Sequence, residues 1–213
     1  AGGGTDVLNR LIAGEMRPFL GRNVVVTNVT GGVSASNGMF HVWGLPHDGY
    51  NLAGLSESVV SGPVMGGFDK RMNAWYPFLI AGSPDVVSVP ASSPYKTLKD
   101  LVDAASAKPG TIKAGCGNVG GLHHLNMLAF ENGTGVKFNY IPYPGSGPSQ
   151  TAAVTGEIDV VFTSLAEQQQ LIKAGQLRAL GMLTDKPFKL EGYGEIPSSF
   201  KGYANLKKYL PIM

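Results

Sequence analysis

Apolar residues along this chain alternate between two spacings. Val7, Leu8, Leu11, Ile12, Met16 and Leu20 fall mostly on one face of a 3.6-residue repeat, which predicts a helix capped by Asp6 and closed by Gly21. Asn23–Asn28 (NVVVTN) and Tyr50–Leu55 (YNLAGL) read as strands, with a short helix over Met39–Trp43 between them. Asp85–Val89 (DVVSV) is a further strand. Thr97, with Asp100 three residues on, then opens a helix through Leu98, Leu101, Val102 and Ala105 that Pro109-Gly110 ends. The alternation continues with a strand at Thr111–Ala114 and a helix carrying Leu122, Leu125, Leu128 and Ala129. A strand at Phe138–Ile141, a short helix and a strand at Ile158–Phe162 follow. A helix near Ala166–Ala174 and a strand at Leu177–Met182 complete the series. Strand, loop and helix repeated in this order predict βαβ units and parallel sheets, an α/β fold.

Four polar loops each follow a strand or would follow one: Ala1–Asp6, Thr30–Gly38, Gly115–His123 and Pro142–Ser149. In a parallel sheet such turns gather at the carboxyl edge, where open α/β folds bind ligands. Glycines let the backbone come close and turn its N–H groups toward an anion, and each following helix adds partial positive charge at its start. None of the four loops contains Lys or Arg, which a polyphosphate would ordinarily require. The expected ligand is therefore a small organic acid, held by backbone amides and by the hydroxyls of Thr5, Ser34, Ser36 and Ser146 beside Gly145. Asp6 sits awkwardly beside an anion and is expected to cap a helix or to face a ligand amine or hydroxyl.

Composition narrows the field. Among 213 residues, only 15% are charged and the net charge is +2, with no run of five Lys or Arg; nucleic acid is not an expected partner. No apolar stretch approaches the ~18 residues of a membrane-spanning helix. Cys116 is the single cysteine, so no disulfide can form within the chain, and it reads as a small buried residue. His123 and His124 would project about 100° apart on a helix and could not readily share a metal; neither metal nor cofactor is expected. Trp43 and Trp75 read as core residues.

Several segments together resemble the extracytoplasmic solute receptors of tripartite tricarboxylate transporters, the Bug or TctC-like family. They are AGGGTD (Ala1–Asp6), PHDGYNLAG (Pro46–Gly54), YKTLKDLVDAASAKPGTIKAGCGNVGGLHHL (Tyr95–Leu125), YIPYPGSGPSQTAAVTGEIDVVF (Tyr140–Phe162) and IKAGQLRALGML (Ile172–Leu183). The resemblance implies a type II periplasmic-binding-protein fold, two α/β lobes around a ligand cleft, without catalysis. It implies a carboxylate held between the first loop, Gly2, Gly3, Gly4, Thr5 and Asp6, and a second formed by Gly117, Asn118, Gly121 and His123. PYPGSGPS corresponds to a Tyr-Lys-Gly-Ser stretch of the family, with Pro144 in the place of Lys. Val29, Thr30 and Gly31 stand where the family has Arg-Pro-Gly, and Leu122 replaces a common Ser.

On this reading, residues 1–89 with 187–213 form lobe one and 90–186 form lobe two, hinged near 90–94 and 184–188. The implied protein is a monomer outside the cytoplasm that closes on its acid and delivers it to membrane transporter subunits. No signal peptide is visible; the family's opening strand and C-terminal segment are missing, so an incomplete chain is expected. Two rival readings are a thiol enzyme using Cys116 and His123, and a receptor for an inorganic oxyanion.

Overall fold

The computed structural model describes residues 3–77 and 82–210. They form two compact units: residues 3–77 with 118–122, and residues 82–117 with 123–210. This division differs from the expected lobes. Asp85–Val89 and the segment from 187 onward both belong with the second unit, because their strands and helices complete its core.

The first unit contains α1 (Gly4–Leu20), α2 (Ser36–Trp43) and α3 (Ser58–Val64). Helix α1 starts at Gly4 with Gly3 as its N-cap and ends at Gly21, whose φ of 62° suits the left-handed closing residue. Asp6 therefore lies inside the first turn and is not the cap. Its carboxylate accepts from Arg10 Nε at 2.8 Å and from Asn28 Nδ2 at 3.0 Å. Phe40 and Trp43 each pack edge to face on Phe68, and Trp43 does so on Trp75, so both tryptophans serve packing although, against expectation, they are only partly buried. Asn23–Asn28 and Tyr50–Leu55, read as strands, have no regular secondary structure and no ladder partner among the described residues. Extended backbone becomes a strand only through ladder bonds to a neighbour.

The second unit is built on a five-stranded sheet. Its elements are β1 (Asp85–Pro90), α4 (Leu98–Ala107), β2 (Lys113–Gly115), α5 (Leu122–Thr134), β3 (Asn139–Ile141), α6 (Ser146–Val154), β4 (Val160–Ser164), α7 (Leu165–Lys173) and β5 (Leu177–Met182). A hairpin of β6 (Phe188–Leu190) and β7 (Gly194–Ile196) follows, then the short helices α8 (Ser199–Gly202) and α9 (Leu206–Tyr209). The expected capping box is present on α4: Thr97 Oγ1 accepts from Asp100 N, and Asp100 accepts from Thr97 N.

The strand order is β3-β2-β4-β1-β5. β2 runs parallel to β3 and β4, as expected, but β1 runs antiparallel to both β4 and β5, so the sheet is mixed. This reversal matters locally. It carries Asp85, the first residue of β1, to the carboxyl end of β4, where it pairs in register with Ser164. Side chains alternate across β1: Val87 and Val89 join Leu101, Phe130 and Phe162 on one face, while Val86 joins Val161, Ala152 and Ile172 on the other. Both faces are covered by helices, which explains why β1 and β4 are buried along their whole length.

Candidate functional site

At the carboxyl edge of this sheet lies a buried cluster of ionisable groups. Asp85 is fully buried. Its two oxygens stand 2.9 and 3.0 Å from His123 Nδ1, and Asn126 Nδ2 donates to Oδ2 at 2.9 Å. His123 Nε2 faces Glu167 Oε2 at 3.3 Å. Glu167 in turn accepts from the backbone N–H and hydroxyl of Ser164 at 3.1 and 2.8 Å, so the turn from β4 into α7 fixes its position. Carboxylates from two elements, β1 and α7, thus converge on one imidazole carried by α5. Burial pushes the pKa of His123 down, but the Asp85 and Glu167 carboxylates together outweigh it and hold the pKa well above 6.5. Both ring nitrogens are directed at carboxylates of the chain itself.

The Gly-rich loop before α5 belongs to the first unit over Asn118–Leu122. There Ser34 clasps it. Ser34 N donates to Val119 O at 3.3 Å, Ser34 Oγ donates to Gly120 O at 2.9 Å, and Ser61 Oγ donates to Ser34 Oγ at 3.0 Å. Ser34 and Ala35 both have positive φ, 52° and 59°, an uncommon conformation for non-glycine residues. Gly120, at φ 76°, makes the close approach possible: a Cβ there would lie 2.9 Å from Ser34 Oγ. Gly121 has a different role from the amide donor expected of it, since its N–H closes a turn on Asn118 O at 3.1 Å. The first N–H of α5, on Leu122, already meets a carboxylate: Glu57 Oε1 at 2.7 Å.

The remaining predicted residues divide between the units. Gly3, Gly4 and Thr5 form the start of α1, and Gly2 lies outside the described residues. Ser36 is buried and opens α2. Gly117 lies two residues beyond β2, its carbonyl accepting from Tyr140 Oη at 2.9 Å. Gly145, at φ 147°, is the N-cap of α6, and Ser146 is that helix's buried first residue. Of the predicted set, the structure brings Ser34 to the loop containing Asn118 and Gly121, and sets Gly117 near His123, whose ring carbon a Cβ at Gly117 would approach to 3.8 Å. Sequence reasoning missed Glu57, Asp85, Asn126 and Glu167. Only Glu167 had a readable signal, the Ser-x-x-Glu spacing from Ser164.

The thiol reading is not supported by the geometry. Cys116 is fully buried and its pKa is pushed up to about 12, chiefly by burial, so the thiol stays protonated at neutral pH. His123 is committed to Asp85 and Glu167, and His124 stacks on Tyr140 with ring centroids 4.3 Å apart. Neither histidine is placed to serve as its base.

Comparison with known proteins agrees with this architecture. The protein BugT of Bordetella pertussis is 31% identical over 193 residues, covering 86% of this chain and 57% of that protein. The chain spans about half the length of the curated relatives it matches. Among solved structures, a TctC solute-binding protein from Polaromonas is 27% identical with a TM-score of 0.64, over 99% of this chain and 78% of that one. An R. palustris protein solved with adipate has a TM-score of 0.73 at 23% identity, over 99% and 78% of the respective chains, a likeness of fold. The sequence pattern described as the tripartite tricarboxylate transporter family receptor, TctC, matches residues 8–212. The chain therefore belongs to the TctC family of tripartite tricarboxylate transporter receptors.

Proposed function

We propose that this chain is part of an extracytoplasmic receptor that captures a small organic acid by its carboxylate and presents it to the membrane subunits of a tripartite transporter. The observation that carries this reading is the clasp between Ser34 and the loop Asn118–Leu122. Left-handed backbone at non-glycine positions costs of order 1–3 kcal/mol each and persists where surrounding structure over-determines it, commonly at ligand sites. Here it shapes a cation-free glycine loop at the start of a 13-residue helix. The chemistry of that helix start suits a carboxylate, because Leu122 N–H already donates to one from Glu57. Within the first unit, the proposed donors to the acid are the amide of Gly3 and the hydroxyls of Thr5 and Ser36. The R. palustris relative in fold, solved with adipate, supports a carboxylate as the ligand class.

Calorimetric titration with adipate, a panel of smaller mono- and dicarboxylates, and sulfate tests the reading. Saturable binding of at least one carboxylate, with sulfate failing to compete, is expected. At a hundredfold excess over its dissociation constant, the acid should stabilise the protein by about 2.7 kcal/mol in a thermal-shift assay. Binding of sulfate in preference to every carboxylate would turn the reading toward an inorganic oxyanion.

A further inference from the structure

The chain passes between its two units on either side of the excursion Asn118–Leu122. On the side of the second unit, the residues bordering these passages are held by buried polar groups. Gly117 is tied through its carbonyl to Tyr140 Oη at 2.9 Å. His123 is tied to Asp85 and Glu167, and Asp85 is itself the head of β1. From this geometry we propose that His123 is a positioning residue: its ring, held between two carboxylates, fixes the root of loop 118–122 to the head of β1, and does so only while both ring nitrogens carry protons.

The requirement for both protons follows from the partners. Asp85 accepts at Nδ1 and Glu167 stands at Nε2. A neutral imidazole has one N–H and one lone pair, so on losing a proton it would turn a lone pair toward one of the carboxylates. The titratable groups facing the ring are Asp85 from β1 and Glu167 from α7; Asn126, on α5, is neutral and donates to Asp85 Oδ2. Cys116, the residue after β2, stays neutral at neutral pH because burial raises its pKa to about 12. The sign is then fixed. With a folded-state pKa well above 6.5, the ring is protonated at neutral pH, and its contribution is complete below the unfolded value. That contribution is lost as pH rises through the raised folded value.

The order of the loop can be read without a ligand, so the test does not depend on which acid is bound. Amide hydrogen exchange is measured by mass spectrometry on the whole chain at about pH 6 and at a pH above the folded-state pKa of His123, located by titrating its ring 1H–15N signals, with correction for intrinsic rates. In the native protein, protection of the peptide spanning Asn118–Leu122 should fall tenfold or more at the higher pH while that of α4 holds. In His123→Gln, which cannot titrate, the same loop should be weakly protected at both pH values. Equal protection of the loop in the two proteins, or a pH effect that persists in the variant, overturns the proposal. A measurement that needs no variant is the long-range 1H–15N spectrum of the native histidines. Both nitrogens of His123 should be protonated at about pH 7.5; the pattern of a neutral tautomer there would also overturn it.

Discussion

Gly120 is the residue on which the contact between two glycine loops turns. Its φ of 76° belongs to the region that side chains rarely adopt, and a Cβ would fall 2.9 Å from Ser34 Oγ. Gly120→Val should therefore weaken the first unit by about 1–3 kcal/mol through backbone strain and loss of the Ser34 bond. Trp43 and Trp75, the only two tryptophans, both lie in that unit, so the urea midpoint of tryptophan fluorescence reports the change directly. An unchanged midpoint would mean that the loop accommodates the side chain by moving away from Ser34. Asp85, His123 and Glu167 make the complementary point for charge. An isolated buried carboxylate is costly, and here each is supplied with donors by the elements that meet at the sheet edge.

At the scale of elements, local signals and long-range partners contribute separately. Helix α4 is specified almost wholly by its own residues: Thr97 and Asp100 satisfy its first amides, and Leu98, Leu101, Val102 and Ala105 are the residues it buries. Thr97→Ala removes the capping hydroxyl and should cost about 1 kcal/mol, read from the thermal midpoint of the far-ultraviolet circular dichroism. Strand β1 depends instead on its neighbours. Its apolar run would suit either direction, and only its pairing between β4 and β5 makes it antiparallel. Without that reversal, Asp85 would lie at the opposite edge from Ser164 and the start of α7, and the imidazole of His123 would lose the partner of its Nδ1.

At the scale of the whole molecule, the distribution of charge governs how a ligand should be recognised. The four polar loops carry no Lys or Arg, and Arg10, on the helix that the first loop enters, is paired with Asp6. If neutral donors and helix starts hold the acid, affinity should change less than about threefold between about 20 mM and about 500 mM salt. A site built on exposed cations would be screened strongly over that range. Titration of the best-bound acid at the two salt concentrations decides this, and a steep loss would direct attention to Arg71 or Lys70. Membership of the TctC family sets the frame for such measurements, while the loop residues of this chain set the expected salt response.

The sequence by itself determined the order of helices and strands in the second unit, the cap of α4, the buried character of Cys116 and the family. These rest on short-range spacing, capping chemistry and a series of motifs, all readable within a few residues. Tertiary structure decided the rest. The segments Asn23–Asn28 and Tyr50–Leu55 have strand-like patterns yet stay unpaired among the described residues, because pairing requires a neighbour that apolar periodicity cannot supply. The partners of His123 lie 38 and 44 positions away in the chain, at Asp85 and Glu167. Only the reversal of β1 and the turn from β4 into α7 bring those carboxylates to the two sides of one ring.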